Sequence, residues 1–369
     1  MARQLVAPCS GDCSTDPYCS GELGCHRAVI WLLAVGKLPY KKVVQVTFDP
    51  HSLLPLELVI VVDTNALLSS IDNQCRTGRR SLILRIAESR TAKVFAADHV
   101  YDETYRGFAK IAASKNSTSV VEMRACFEEH YLPVLRWVTT SVNDIWDERV
   151  HLVTDEDDAP TAHLASLIAP CVVMSADKHL RRPGFAPDEW RLAAAHGASF
   201  VKATSQKETV LMAISLPVVA VVDGGIKFHQ IARLPAWALP ALIVGCGYLI
   251  FRSPRRRKTI GEAVWPFVEA IEAEIEQVEV CRQTGAHGLK KAMLEPAEPP
   301  TVKQQIATVL ARSRQPLLAG EIQELIETNF GRDGVPAIVE VRDILKASSE
   351  FTQPERYRWQ LGRVGGPRR

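Results

Sequence analysis

The sequence has almost no net charge, because 44 lysines and arginines nearly balance 42 aspartates and glutamates, giving +2 at pH 7. This balance excludes a protein that binds polyanions over its whole surface. Any contact with nucleic acid must therefore come from local basic patches. The sequence also lacks the paired C-x-x-C motifs of common zinc modules.

The cysteines form no tight framework. There are nine of them, at 9, 13, 19, 25, 75, 126, 171, 246 and 281. An odd, scattered set favours a reducing compartment over a secreted chain held by disulfides. The first four lie close to His26, which leaves a zinc site open. We nevertheless expect residues 1–50 to be a poorly ordered extension.

A buried strand is predicted at Leu58–Val62, where five apolar residues follow one another. Such a run is typical of a parallel strand covered on both faces. It ends at Asp63, in the position where open α/β sheets bind their ligands. The alternative is that Asp63 only caps the next helix.

Strands and helices alternate after this point, which predicts an α/β fold with a parallel sheet and helices on both faces. The predicted strands are 93–97, 134–139, 171–174 and 199–203. The predicted helices are 81–89, one capped by Asp98 that carries Glu103, 121–130, 158–168 and 189–195.

Acidic residues recur where strands end and helices begin. Asp63 and Asp177 each follow a predicted strand, while Glu103 and the run 155–158 lie at predicted helix starts. In a parallel sheet these positions share one edge, so the carboxylates are expected to converge. Clustered carboxylates repel one another and recruit cations, and oxygen ligands suit Mg²⁺ or Mn²⁺.

Four segments resemble the PIN-domain nuclease family over about residues 56–205. They are V-V-D-T-N-A-L-L at 61–68, Y-D-E at 101–103, D-E-D-D-A-P at 155–160 and V-V-M-S-A-D-K-H-L at 172–180. The resemblance implies a PIN-like sheet over residues 56–207 and metal-dependent cleavage of RNA. It also implies that the acids act first as ligands of one or two divalent ions.

The resemblance assigns roles to individual residues. Asp63, Glu103, Asp158 and Asp177 match the four catalytic and metal-binding acids, and Asp155 competes with Asp158 for the third position. Asn65 and Ser175 match supporting polar positions. The basic residues Arg79, Arg80 and Lys178 are candidates to approach RNA phosphates, although solvation is the commoner fate of such residues. The alternative for the acids is structural, as helix-start or turn residues.

Two apolar stretches lie within residues 209–251. Leu234–Phe251 contains no charged residue, and it is followed by a run of arginines and Lys258. This pattern predicts a transmembrane hairpin, with the nuclease and C-terminal domains both facing the cytoplasm. The first stretch, Val210–Val222, is short for a span. The alternative is a pair of buried helices in a soluble protein, as in a toxin-like nuclease that binds a partner there.

The remaining chain divides into two parts. Residues 252–300 contain a basic stretch, an amphipathic helix at Ile260–Val280 suited to packing or to homodimer formation, and a Pro-rich linker. Residues 301–364 resemble a winged-helix domain, with three helices and a hairpin. The third helix offers only Arg342 and Lys346 against Glu340 and Asp343, so protein contact is as reasonable as DNA contact.

The sequence therefore predicts a membrane-tethered PIN-type ribonuclease with RNA as its substrate. The alternative is a catalytically weak, membrane-anchored regulator that binds nucleic acid.

Overall fold

The computed structural model describes residues 58–89, 91–114, 118–140, 147–209, 254–332 and 334–367, with backbone only for 254–272. The predicted extension 1–50 lies outside these residues, as do residues 210–251 of the predicted membrane segment 209–251. Among the described residues, no helix has both the length and the apolar character needed to cross a membrane.

Strand β1, Leu58–Val62, confirms the predicted strand and lies near the middle of a six-stranded sheet. It pairs in parallel with a strand on each side, and Ile60 faces both Val94 and Val172 in the register. Leu58, Ile60 and Val62 pack into one core, whereas Val59 and Val61 pack into another. Both faces of β1 are buried, which explains its unbroken apolar run.

The sheet has the order β5-β4-β1-β2-β3-β9. Its other strands are β2 (Ala92–Ala97), β3 (Arg136–Val138), β4 (Cys171–Met174), β5 (Met293–Leu294) and β9 (Arg363–Val364). Strands β1 to β4 are mutually parallel, as predicted. The predicted parallel sheet carries one further strand at each edge, since β5 and β9 are antiparallel to their neighbours.

Helices cover both faces of the sheet, as predicted. One face carries α1 (Thr64–Thr77), α2 (Leu82–Ala87), α3 (Asp98–Ala112), α4 (Val120–Cys126) and helical residues 190–209, here called α7. The other face carries α5 (Ala159–Ile168) and residues from the short α6 (Lys178–Arg181). A π-helical turn, Phe127–Tyr131, and a 3₁₀ turn, Glu148–Leu152, complete this part of the chain.

The predicted strand 199–203 is wrong, since these residues continue α7. Phe200 and Val201 are buried by helix packing. The prediction failed because so short an apolar run fits the repeat of a helix as well as that of a strand. Gly197 does not end the helix. A Cβ there would lie 3.0 Å from Ile86 Cδ1, so glycine permits close packing instead.

Helix α8, Pro254–Ala292, lies antiparallel to α7. Lys207 pairs with Glu279 at 2.8 Å, and the backbone of His196 approaches Gly285. Residues 254–292 form a longer helix than the predicted 260–280, and β5 follows it immediately before the predicted linker 295–300.

The C-terminal part contains three helices and a small sheet. They are α9 (Val302–Arg312), β6 (Leu317–Leu318), α10 (Ala319–Phe330), α11 (Ile338–Ala347), β7 (Phe351–Glu355) and β8 (Arg358–Leu361), with sheet order β6-β8-β7. Its buried residues, such as Ile306 and Leu310, join the core formed by α5 and the large sheet. Gln304 donates to the Ser166 carbonyl at 3.1 Å. The boundary between residues 56–207 and residues 301–364 stays a prediction, although buried residues of both regions belong to one hydrophobic core.

Candidate metal site

Asp63 lies directly after β1 at the carboxyl edge of the sheet, and its side chain is 1% exposed. It occupies the position that precedes α1, yet its carboxylate makes no capping hydrogen bond. Instead the Ser175 hydroxyl donates to Asp63 Oδ2 at 2.7 Å. The capping alternative therefore does not account for the orientation of this side chain.

Ser175 and Asp177 follow β4, which is the neighbour of β1 on the side where the strand order reverses. The Asp177 backbone N–H donates to Ser175 Oγ at 2.9 Å, and Asp177 Oδ1 accepts from the His179 N–H at 2.8 Å. Asp177 thus caps α6, whereas the structural alternative had it as a turn residue. Its other oxygen accepts from Asn65 Nδ2 at 3.5 Å, so Asp177 also faces the start of α1.

Glu103 reaches the same edge from the second turn of α3. The Thr64 hydroxyl donates to Glu103 Oε2 at 2.6 Å, which joins α3 to the residue after Asp63. The prediction that Asp98 caps α3 is wrong. Asp98 is the first residue of the helix, and Ala97 occupies the capping position. Asp98 instead accepts a hydrogen bond from the Thr139 hydroxyl.

Asp158 precedes α5, makes no capping hydrogen bond, and is 9% exposed. Its Oδ2 atom is buried and has no hydrogen-bond partner among the described residues. Asp155 is exposed, and its Oδ1 accepts from the Asp157 N–H at 3.1 Å. The burial and the unpaired oxygen favour Asp158 over Asp155 as the third acid of the cluster.

The five acids form a cluster, which we call the carboxylate cluster: Asp63, Glu103, Asp155, Asp158 and Asp177. Burial raises the pKa of Asp158 to about 7, with repulsion from Asp63 and Asp177 as the next causes. Burial likewise raises the pKa of Asp63 to about 6, although the Ser175 hydrogen bond opposes the rise. Glu103 and Asp177 add repulsion at Asp63. Concentrated negative charge of this kind is relieved by protons or by cations.

The fit to a divalent ion is mixed. All donors are hard oxygen atoms, and Asp158 offers one to which no described residue forms a hydrogen bond, which suits Mg²⁺. Within the residues that the structure describes, however, no three acidic, histidine or cysteine side chains are arranged to hold one ion. The hydrogen bonds from Ser175, Thr64 and the His179 N–H occupy the carboxylates instead.

The predicted substrate contacts are divided between two ends of the fold. Asn65, Ser175 and Lys178 lie with the carboxylate cluster. Arg79 and Arg80 follow the far end of α1, a helix of 14 residues or roughly 21 Å. Arg80 forms an ion pair with Glu88 there. The prediction that Arg79 and Arg80 contact RNA phosphates gains no support from their place at the far end of α1.

His99 is a residue of this region that the sequence reasoning missed. It lies one helical turn before Glu103, and its Nε2 is 3.3 Å from Thr161 Oγ1 in the first turn of α5. His99 Nδ1 is buried without a partner among the described residues. The histidine therefore links α3, which carries Glu103, to α5, which follows Asp158. In the sequence, the four-residue spacing between His99 and Glu103 places both residues on one face of a helix and could have identified His99.

The cluster predicts an unusual dependence of stability on pH. In the unfolded chain Asp63 and Asp158 ionise near pH 4, whereas in the fold they ionise near pH 6 and 7. A raised folded pKa contributes stability at low pH that is lost as the pH rises through the folded value. Between pH 5 and pH 8, in EDTA, we expect the free energy of unfolding to fall by on the order of 4 kcal/mol.

Thermal unfolding of the full chain at both pH values measures this loss. Mg²⁺ should restore more stability at pH 8 than at pH 5, because it binds ionised carboxylates. Asp63→Asn and Asp158→Asn together should remove most of the pH dependence. If the double variant lost as much stability between pH 5 and pH 8 as the parent protein, the pH dependence would belong to other groups.

Comparisons with protein-family models, curated proteins and solved structures found no match to this chain, so the candidate site rests on its own residues and geometry.

Proposed function

We propose that this protein is a metal-dependent endoribonuclease of PIN type that hydrolyses RNA phosphodiesters. The observation that carries the proposal is the convergence of Asp63, Glu103, Asp158 and Asp177 on one sheet edge, in the chain order of the PIN resemblance. The raised pKa values of two of these buried acids are typical of functional sites.

These four acids would hold Mg²⁺ or Mn²⁺, with Asp155 as a further candidate ligand. A bound ion of this kind lowers the pKa of an attacking water and stabilises the leaving oxygen. The chain itself orients the ligands: Ser175 holds Asp63, and Thr64 holds Glu103. The amide of Asn65 approaches Asp177.

Cleavage of a mixed pool of labelled RNAs by the full chain tests the proposal, with Mg²⁺, with Mn²⁺ and with EDTA. We expect cutting with either ion and none with EDTA. A folded protein that cuts no RNA under any condition would contradict the proposal.

A regulator that binds nucleic acid without efficient cleavage is the second candidate. It is favoured by the absence, among the described residues, of three side chains arranged for one ion. RNA binding without metal-dependent cutting would support this candidate over the nuclease.

The C-terminal part supports a winged-helix module that contacts protein. Its three helices and its hairpin are the elements on which the resemblance rests, and the short strand β6 lies between the first two helices. The exposed charges of α11 cancel, since Glu340 and Asp343 balance Arg342 and Lys346. A neutral face offers little attraction to DNA phosphates.

The membrane tether at 209–251 is proposed from sequence alone, with both flanking domains in the cytoplasm. The antiparallel packing of α7 and α8 is compatible with two crossings, because the C-terminal end of α7 and the N-terminal end of α8 point in the same direction. Recovery of the full chain in the soluble fraction without detergent would contradict the tether.

A further inference from the structure

A negatively charged cluster repels RNA phosphates, so a ribonuclease needs compensating cations beside it. Arg106 is close to the carboxylate cluster, but it pairs with Glu103 at 3.8 Å. Arg79 and Arg80 lie at the other end of α1. Lys178 lies beside Asp177, and one lysine leaves most of the negative charge of the cluster uncompensated, so further cations are needed near it.

Arg191 is a candidate at the start of α7. Its Nη2 donates to Ser69 Oγ at 3.4 Å. Ser69 lies one turn along α1 from Asn65, about 6 Å by helix rise, and Asn65 contacts Asp177. Arg191 is thus near the carboxylate cluster at the same end of α1.

The guanidinium of Arg191 is available to a ligand. The side chain is exposed and, among the described residues, pairs with no carboxylate. Its Cζ atom lies 5.5 Å from the centre of the Trp190 ring. Trp190 is half-buried and packs against the core of this sheet face, which anchors the pair.

Resting on the proposed ribonuclease function, we propose that Trp190 and Arg191 bind single-stranded RNA next to the scissile phosphate. Arg191 contacts a phosphate or stacks on a base, and the Trp190 ring supports this planar surface. Unpaired bases stack on aromatic rings and on arginine planes without regard to sequence, whereas bases in a duplex are already stacked. The site therefore selects single strands over duplexes.

Binding is measured by fluorescence anisotropy with labelled single-stranded RNA and full-length protein. All variants carry Asp63→Asn, so that RNA is not cut. We expect Arg191→Gln to weaken binding about tenfold and to reduce the salt slope by about one. Arg191→Lys should lose less, because it keeps the charge but not the plane.

Arg85→Gln is the matched control, since Arg85 is an exposed arginine on the same sheet face, at the end of α2. It should bind RNA as the parent does. Trp190→Phe should bind better than Trp190→Leu at equal thermal stability. Equal effects of Arg191→Gln and Arg85→Gln, or no RNA binding by the parent, would overturn the inference.

The two proposals fail in different ways. If the protein cuts RNA and Arg191→Gln binds and cuts normally, the nuclease stands and the Arg191 site is wrong. If the protein binds RNA through Arg191 but never cuts, the site stands and the regulator replaces the nuclease.

Discussion

Replacing Asp63 with Asn is expected to lower the rate of RNA cleavage by about 1,000-fold, or ~4 kcal/mol of transition-state stabilisation. Asp63 is the most buried acid of the carboxylate cluster and lies at the end of the central strand. Asparagine has nearly the same shape but carries no charge, so it binds a divalent ion poorly. The rate is measured with saturating Mg²⁺ on one labelled single-stranded RNA.

Folding should survive this change, since removing a buried charge relieves a desolvation cost. Thermal unfolding at pH 8 should therefore show Asp63→Asn at least as stable as the parent. The matched control is Asp102→Asn, which removes an exposed carboxylate beside Glu103 on the same helix. Comparable loss in both variants would indicate general electrostatics rather than a defined ligand site.

The largest effect on stability is expected for Gly362→Ala, at about 3–4 kcal/mol. Gly362 has a φ of +60°, a region that costs an L-residue about 1 kcal/mol. An added Cβ would also lie 2.6 Å from the Trp137 carbonyl oxygen, so the backbone must move. This movement would disturb the pairing of β9 with β3, which joins the C-terminal part to the large sheet.

Gly365→Ala separates the two causes of this loss. Gly365 has a φ of +88° but no atom within 4 Å of an added Cβ. This variant should lose only about 1 kcal/mol. Chemical denaturation measures both values, and a similar loss in the two variants would contradict the predicted clash.

The sequence alone determined the central part of the fold. Strands Leu58–Val62 and Cys171–Met174 lie where the apolar runs indicated, and α5 begins one residue after the predicted 158. These elements are buried on both sides, so each one is a nearly continuous run of apolar residues that can be recognised from neighbouring residues alone. The same reasoning brought the acids after parallel strands to one edge, because strand direction fixes which end each residue occupies.

Tertiary structure decided what local pattern does not encode. The edge strands β5 and β9 have two residues each, and they exist only because a distant segment packs beside the sheet. Residues 199–203 fit either period, and packing against α8 selected the helix. Arg79 follows Asp63 closely in sequence, but the length of α1 separates them in space.

The carboxylate cluster divides in the same way. Sequence order supplied the four acids. Only the folded chain distinguished the buried Asp158 from the exposed Asp155. It also joined His99 to Thr161 of α5 and Arg191 to Ser69 of α1. Burial and cross-chain contacts depend on residues far apart in sequence, and no local period records them.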